Sequence, residues 1–140
     1  MTQSLNRLLG TVFGVVYLLV GLAGFAVTGG VGLVSTKGNP LILFEVNPLH
    51  NVIHLAIGAV LLLAARSSVM AARAANTTVG AVYLLVGVLG LFIIGTAANI
   101  LALNSADNVL HFSSALLLLG IGIGAYRGAR RAARERVSTS

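Results

Sequence analysis

The chain contains no cysteine, which at once excludes disulfide frameworks, thiolate metal sites and cysteine nucleophiles. Acidic residues are nearly as scarce: three Asp and Glu stand against nine Lys and Arg, and charges of both signs occupy only 9 % of the 140 positions. A soluble domain carries about a quarter of its residues charged, so this chain could not cover a water-facing surface around a single core. There are only two prolines, and the 17 glycines sit inside apolar tracts rather than in a G-X-Y repeat, which excludes collagen-like and disordered organisation. What is abundant is hydrocarbon. Hydrophobic residues make up 57 % of the chain and the mean hydropathy is +0.99, so the expected solvent for most of it is lipid.

The few charges divide the sequence into uncharged tracts of 29, 20, 33 and 19 residues, lying between Arg7 and Lys37, Glu45 and Arg66, Arg73 and Asp107, and Asp107 and Arg127. A membrane-spanning helix needs roughly 20 apolar residues, so each tract holds one span and none holds two. The fold expected is all-α, a four-transmembrane-helix bundle with helices near 7–28, 48–66, 77–96 and 105–126. Residues 1–126 then form the transmembrane domain, with hairpins of about 7–66 and 77–126, and residues 127–140 form a basic tail. The first tract exceeds the apolar core of a signal peptide and is read as structure. Arg7, Arg66, Arg73, Arg127, Arg130, Arg131, Arg134 and Arg136 fall on one side against Lys37 on the other, which places both termini in the cytoplasm. The five tail arginines would stripe a helical extension and meet anionic lipid headgroups, or simply retain the C-terminus. Nucleic acid is not an expected partner, because no aromatic residues interleave with the basic ones.

The most specific feature is internal. Residues 14–24 (GVVYLLVGLAG) return as 80–90 (GAVYLLVGVLG) with eight of eleven positions identical, and residues 47–54 (NPLHNVIH) return as 104–111 (NSADNVLH). The offsets, 66 and 57, differ by nine residues, the extra length of the first loop. The pattern reads as a duplicated two-helix hairpin whose copies share one orientation in the membrane. Gly10, Gly14, Tyr17, Gly21 and Gly24 occupy one helical face, as do Gly80, Tyr83, Gly87 and Gly90, and such faces allow close backbone approach in lipid. Gly120, Gly124 and Gly128 make a further stripe that would serve a homo-oligomer.

Polar residues gather at one end of the second and fourth helices. Asn47 with Pro48, and Asn104 with Asp107, are helix-start signals. His54 and His111 lie some seven residues farther in, and Asn51 and Asn108 precede them by three and share their face. With Tyr17 and Tyr83 near mid-membrane, the expectation is a pair of buried Tyr/His/Asn hydrogen-bonded clusters: Tyr17, His54 and Asn51, and Tyr83, His111 and Asn108. Tyr126 is read as an interface anchor. His50 and His54 form an i, i+4 pair, as do Asp107 and His111, so His50, His54, Asp107 and His111 together are a candidate site for zinc, iron or copper, and His54 with His111 could flank a haem. No catalytic constellation is present: Ser113 and Ser114 lack a matching base and no phosphate-cradling loop occurs.

Gly14-Val15-Val16-Tyr17-Leu18, Phe44-Glu45-Val46-Asn47-Pro48-Leu49-His50-Asn51 and Ala106-Asp107-Asn108-Val109-Leu110-His111 resemble the bacterial membrane family catalogued as domain of unknown function 4383. The resemblance extends over nearly the whole chain except the basic tail and implies a small four-helix membrane protein without implying an activity. The function expected is a non-enzymatic structural or interaction role without a cofactor; the alternative is a metal- or haem-binding redox module built on the histidines.

Overall fold

The computed structural model describes the backbone of residues 4–138 and the side chains of residues 4–124 and 137. Four helices dominate: α1 (Leu5–Val27), α2 (Pro48–Ser67), α3 (Val69–Ile93) and α4 (Ser105–Ser138). All four are long and apolar enough to cross a membrane, α4 over Ser105–Gly124. Each start has a local cause. The Ser4 hydroxyl accepts from the Arg7 amide to open α1, and the Asn47 carboxamide accepts from the His50 amide at 2.9 Å with Pro48 at the first helical position of α2. Asn104 and Asp107 cap α4 reciprocally, each side chain accepting from the other's backbone amide at 2.9 and 3.0 Å.

The third helix departs from expectation by beginning at Val69 rather than near residue 77. Ser68 alone connects α2 to α3. Its backbone amide donates to the Ala64 carbonyl and ends one helix, while its hydroxyl accepts from the Ala71 amide at 3.0 Å and starts the next. Arg73 therefore lies inside α3 instead of before it, with its Nε donating to the Gly122 carbonyl at 3.1 Å. A single charge at the edge of an apolar tract does not stop a helix whose backbone is already capped upstream.

A small hairpin between α1 and α2 was not expected. Strands β1 (Asn39–Leu41) and β2 (Phe44–Val46) pair antiparallel, with Asn39 opposite Val46 and Leu41 opposite Phe44. The connecting residues are Ile42 and Leu43, and Ile42 takes φ +61, a left-handed conformation that β-branched residues rarely adopt. A two-residue turn is normally announced by Asn-Gly or Asp-Gly, so this one carries no sequence signal.

α1 packs chiefly on α2 and α3 chiefly on α4, with α1 and α3 also meeting across the diagonal. The bundle is inverted relative to a soluble protein. Leu19, Leu22, Leu63, Phe92 and Leu116 are exposed on its flanks, whereas Asn6, Asn51, Asn76 and the histidines are buried. Close approach rests on glycine: a Cβ on Gly14 would sit 2.9 Å from the Leu62 amide nitrogen, and one on Gly58 would sit 2.8 Å from the Gly14 carbonyl oxygen. Gly120 and Gly124, by contrast, have open space where a Cβ would go.

Candidate functional site

The hairpin half of the bundle holds an aromatic and imidazole cluster contributed by all four helices. His50 and His54 are one turn apart on α2, and their rings meet edge to face with centroids 4.5 Å apart. Tyr17 of α1 lies against His54 at 5.4 Å, Tyr83 of α3 against His111 of α4 at 5.1 Å, and the two tyrosines touch at 5.3 Å. His50 faces His111 with centroids 6.4 Å apart. One ring nitrogen from each of His50, His54 and His111 can be chosen so that all three lie within 4.8 Å of one another. All three side chains are buried, and the Nδ1 atom of each has no hydrogen-bond partner. Backbone groups of Leu101 and Glu45 lie against the His50 imidazole.

The two halves differ in one instructive contact. The Tyr17 hydroxyl donates to Ser114 Oγ at 2.9 Å. Ser114 is matched at the 57-residue offset by Ile57, which carries no hydroxyl, and the buried Tyr83 hydroxyl approaches that of Tyr17 without a hydrogen bond of good geometry. Ser114 was weighed in the sequence only as a nucleophile. Its signal is positional: it follows His111 by three residues, about 60° round the helix on the side opposite Asn108, where it meets Tyr17.

Asn51 and Asn108 do not join the tyrosines and histidines, contrary to the expected clusters. Asn51 is packed against Gly24 of α1 and donates from Nδ2 to Thr28 Oγ1 at 3.1 Å, and Asn108 is packed against Gly90 of α3. Three residues advance a helix by 300°, which turns the Asn about 60° from the His, enough to seat it under the neighbouring helix instead of on the bundle axis. Asp107 also stands apart from the three converging histidines. One carboxylate oxygen accepts from the Asn104 amide at 3.0 Å and the Glu45 amide at 3.4 Å, so Asp107 caps α4 and ties it to β2. It remains near, because a cavity of about 70 Å³ is lined by Tyr17, His54, Asp107 and Ser114 and closed by Phe44 and Val46 of β2.

Matched positions take matched contacts elsewhere. Arg7 Nε donates to the Ala65 carbonyl at 2.7 Å, and at offsets of 66 and 57 Arg73 Nε donates to that of Gly122. The side chains of Tyr126, Arg127, Gly128, Arg130, Arg131, Arg134 and Arg136 lie outside the described residues.

A family model described as a domain of unknown function (DUF4383) matches residues 7–124, which include every residue of this site. The chain belongs to that family. Neither curated proteins nor solved structures yielded a match. The chemically distinctive part of this DUF4383 chain is the cluster itself: three imidazoles, each with an unpartnered Nδ1, and two phenols, enclosed by helices and a hairpin.

Proposed function

We propose that this DUF4383 protein is an integral inner-membrane protein with a structural or interaction role and no catalysis of its own, and that its two halves are joined by one transition-metal ion held by His50, His54 and His111. One observation carries the metal reading: three buried imidazoles converge, and the Nδ1 atom of each lacks a partner. An unpaired polar atom in hydrocarbon costs on the order of 1–3 kcal/mol, and an ion removes that cost at each histidine that ligates through Nδ1. Ligand nitrogens about 2.0–2.1 Å from a tetrahedral zinc ion stand roughly 3.3 Å apart, so binding would draw together rings whose nitrogens already lie within 4.8 Å of one another. Imidazole without thiolate favours zinc, copper, iron or nickel. Asp107 lines the same cavity as His54 and offers the compensating negative charge without leaving its capping role.

A haem is not proposed, because the adjoining space of about 70 Å³ suits a small number of waters and not a macrocycle. The site bridges α2 and α4, which pack on different partners, so an ion there acts as a clasp between hairpins. The matched Gly24–Asn51 and Gly90–Asn108 contacts support reading those hairpins as a duplication. The excess of Arg and Lys at the other end supports reading the β-hairpin as outside and both termini as cytoplasmic, with the basic tail on anionic lipid.

Elemental analysis of protein purified in detergent without chelators tests this. The expected result is about one transition-metal ion per chain, reduced in His54→Gln and His111→Gln. A folded protein that carries no metal and takes up neither Zn²⁺ nor Cu²⁺ on dialysis overturns the metal reading and leaves the cluster as a hydrogen-bonded core.

A further inference from the structure

The two asparagines packed under glycine differ in what their free edge meets. In the first half, Asn51 is fully buried and its Nδ2 donates to Thr28 Oγ1, while its Oδ1 has no partner. At the matched position of the second half, 66 residues on, Ile94 replaces Thr28, and no hydroxyl is offered. Ser105 likewise replaces Pro48 at the 57-residue offset. The consequence is visible at the surface. Asn108 is 6 % exposed, its Oδ1 lacks a partner as that of Asn51 does, its Nδ2 has no counterpart of the Thr28 hydroxyl, and it lines a groove of about 380 Å³ between the ends of α3 and α4. The other walls are Gly90, Leu91, Ile94, Ser105, Val109 and Phe112.

We propose that this groove holds one membrane glycerolipid, the Asn108 carboxamide donating to an acyl-ester carbonyl while the chain lies along Leu91, Ile94, Val109 and Phe112. Depth supports this occupant. Ser105–Gly124 is 20 residues, about 30 Å of helix, which matches a hydrocarbon core, and Asn108 lies about 4.5 Å below its start, near the level of the ester carbonyls. A carbonyl acceptor attached to an apolar chain meets both the Nδ2 donor and the apolar walls. The inference is independent of the metal reading, since Asn108 and the groove take no part in the histidine cluster.

The test is reconstitution of the full chain into bilayers containing equal amounts of ester-linked and ether-linked phosphatidylcholine of the same chain length, followed by detergent extraction and native mass spectrometry. Wild type is expected to retain one lipid with a preference for the ester of about threefold or more, the factor one membrane hydrogen bond of average strength supplies. Asn108→Leu abolishes the preference. Ile94→Thr, which installs the internal partner that Thr28 gives Asn51, abolishes it too while leaving the helices intact, so a folding failure of the first variant does not decide the matter. Equal retention of ester and ether lipids, no retained lipid, or a protein dimer covering the groove in place of lipid would each overturn the proposal.

Discussion

The Tyr17 hydroxyl donates to Ser114 Oγ at 2.9 Å and so joins α1 of the first half to α4 of the second, whereas Tyr83, its counterpart at the 66-residue offset, has no such partner. The cause is one residue: the position matching Ser114 is Ile57. A nearly symmetric arrangement is thereby made asymmetric at its centre, on the seam where the two hairpins meet.

This asymmetry predicts opposite behaviour for two otherwise equivalent substitutions. Tyr17→Phe and Ser114→Ala should each destabilise by roughly 0.6 kcal/mol and should couple in a double-mutant cycle, since both remove one hydrogen bond. Tyr83→Phe should be neutral or stabilising, because it deletes a buried hydroxyl that has no good partner. Unfolding in mixed micelles of graded sodium dodecyl sulfate content reads all three; a larger loss for Tyr83→Phe than for Tyr17→Phe would contradict the geometry.

Glycines on the helix faces should divide by what a methyl group would meet. Gly24→Ala drives its Cβ into the Asn51 carboxamide and should cost about 1–3 kcal/mol, the usual range for overpacking. Gly120→Ala meets nothing and should gain up to about 1 kcal/mol from helix propensity. Thermal unfolding in one detergent compares the two, and equal effects would show that the Gly24 face is not packed as described.

Metal should act as a folding ligand. If His50, His54 and His111 hold an ion, free metal at about 100 times its dissociation constant stabilises the protein by about 2.7 kcal/mol, and a chelator removes that increment. His50→Gln should lose the metal-dependent part of the melting temperature while keeping the metal-free value within a few degrees. A melting curve insensitive to both zinc and chelator would argue against any ion at this site.

The Asp107 carboxylate should matter at two places at once. Asp107→Ala removes the acceptor for the Asn104 amide that starts α4 and for the Glu45 amide of β2. Loss of the cap should cost about 0.5–2 kcal/mol, and hydrogen exchange at Glu45 should quicken along with the first turn of α4. Exchange that changes in α4 alone would mean that Asp107 does not hold the hairpin.

Reporter fusions examine the orientation. One at Ser140 and one within residues 29–46 should report opposite sides of the membrane, the first cytoplasmic, as the Lys and Arg distribution requires. A C-terminal reporter on the outer side would reverse the topology.

The number of helices and the identity of their inward faces were legible in the residues alone, because both depend on local quantities. Tract length against membrane thickness sets the count, and the 3.6-residue period places Gly10, Gly14, Tyr17, Gly21 and Gly24 on one side of α1, where the structure buries all five. Caps were equally local, as Asn47 and Asn104 demonstrate. The start of α3 was not legible, because Arg73 marks a change in composition while Ser68 makes the actual break. Nor was the β-hairpin, whose turn at Ile42 is held by tertiary contacts, among them the Asn104 Nδ2 hydrogen bond to the Leu43 carbonyl, instead of by turn-forming residues. Above all, sequence spacing placed Asn51 with His54, and His50 level with Asp107, yet only packing decided their neighbours. The angular setting of each helix against its partner turns Asn51 beneath Gly24, His50 toward His54 and His111, and Asp107 toward β2. That setting is a property of how four helices interlock, so no single helix encodes it, and it is what brings three imidazoles from two helices within 4.8 Å of one another.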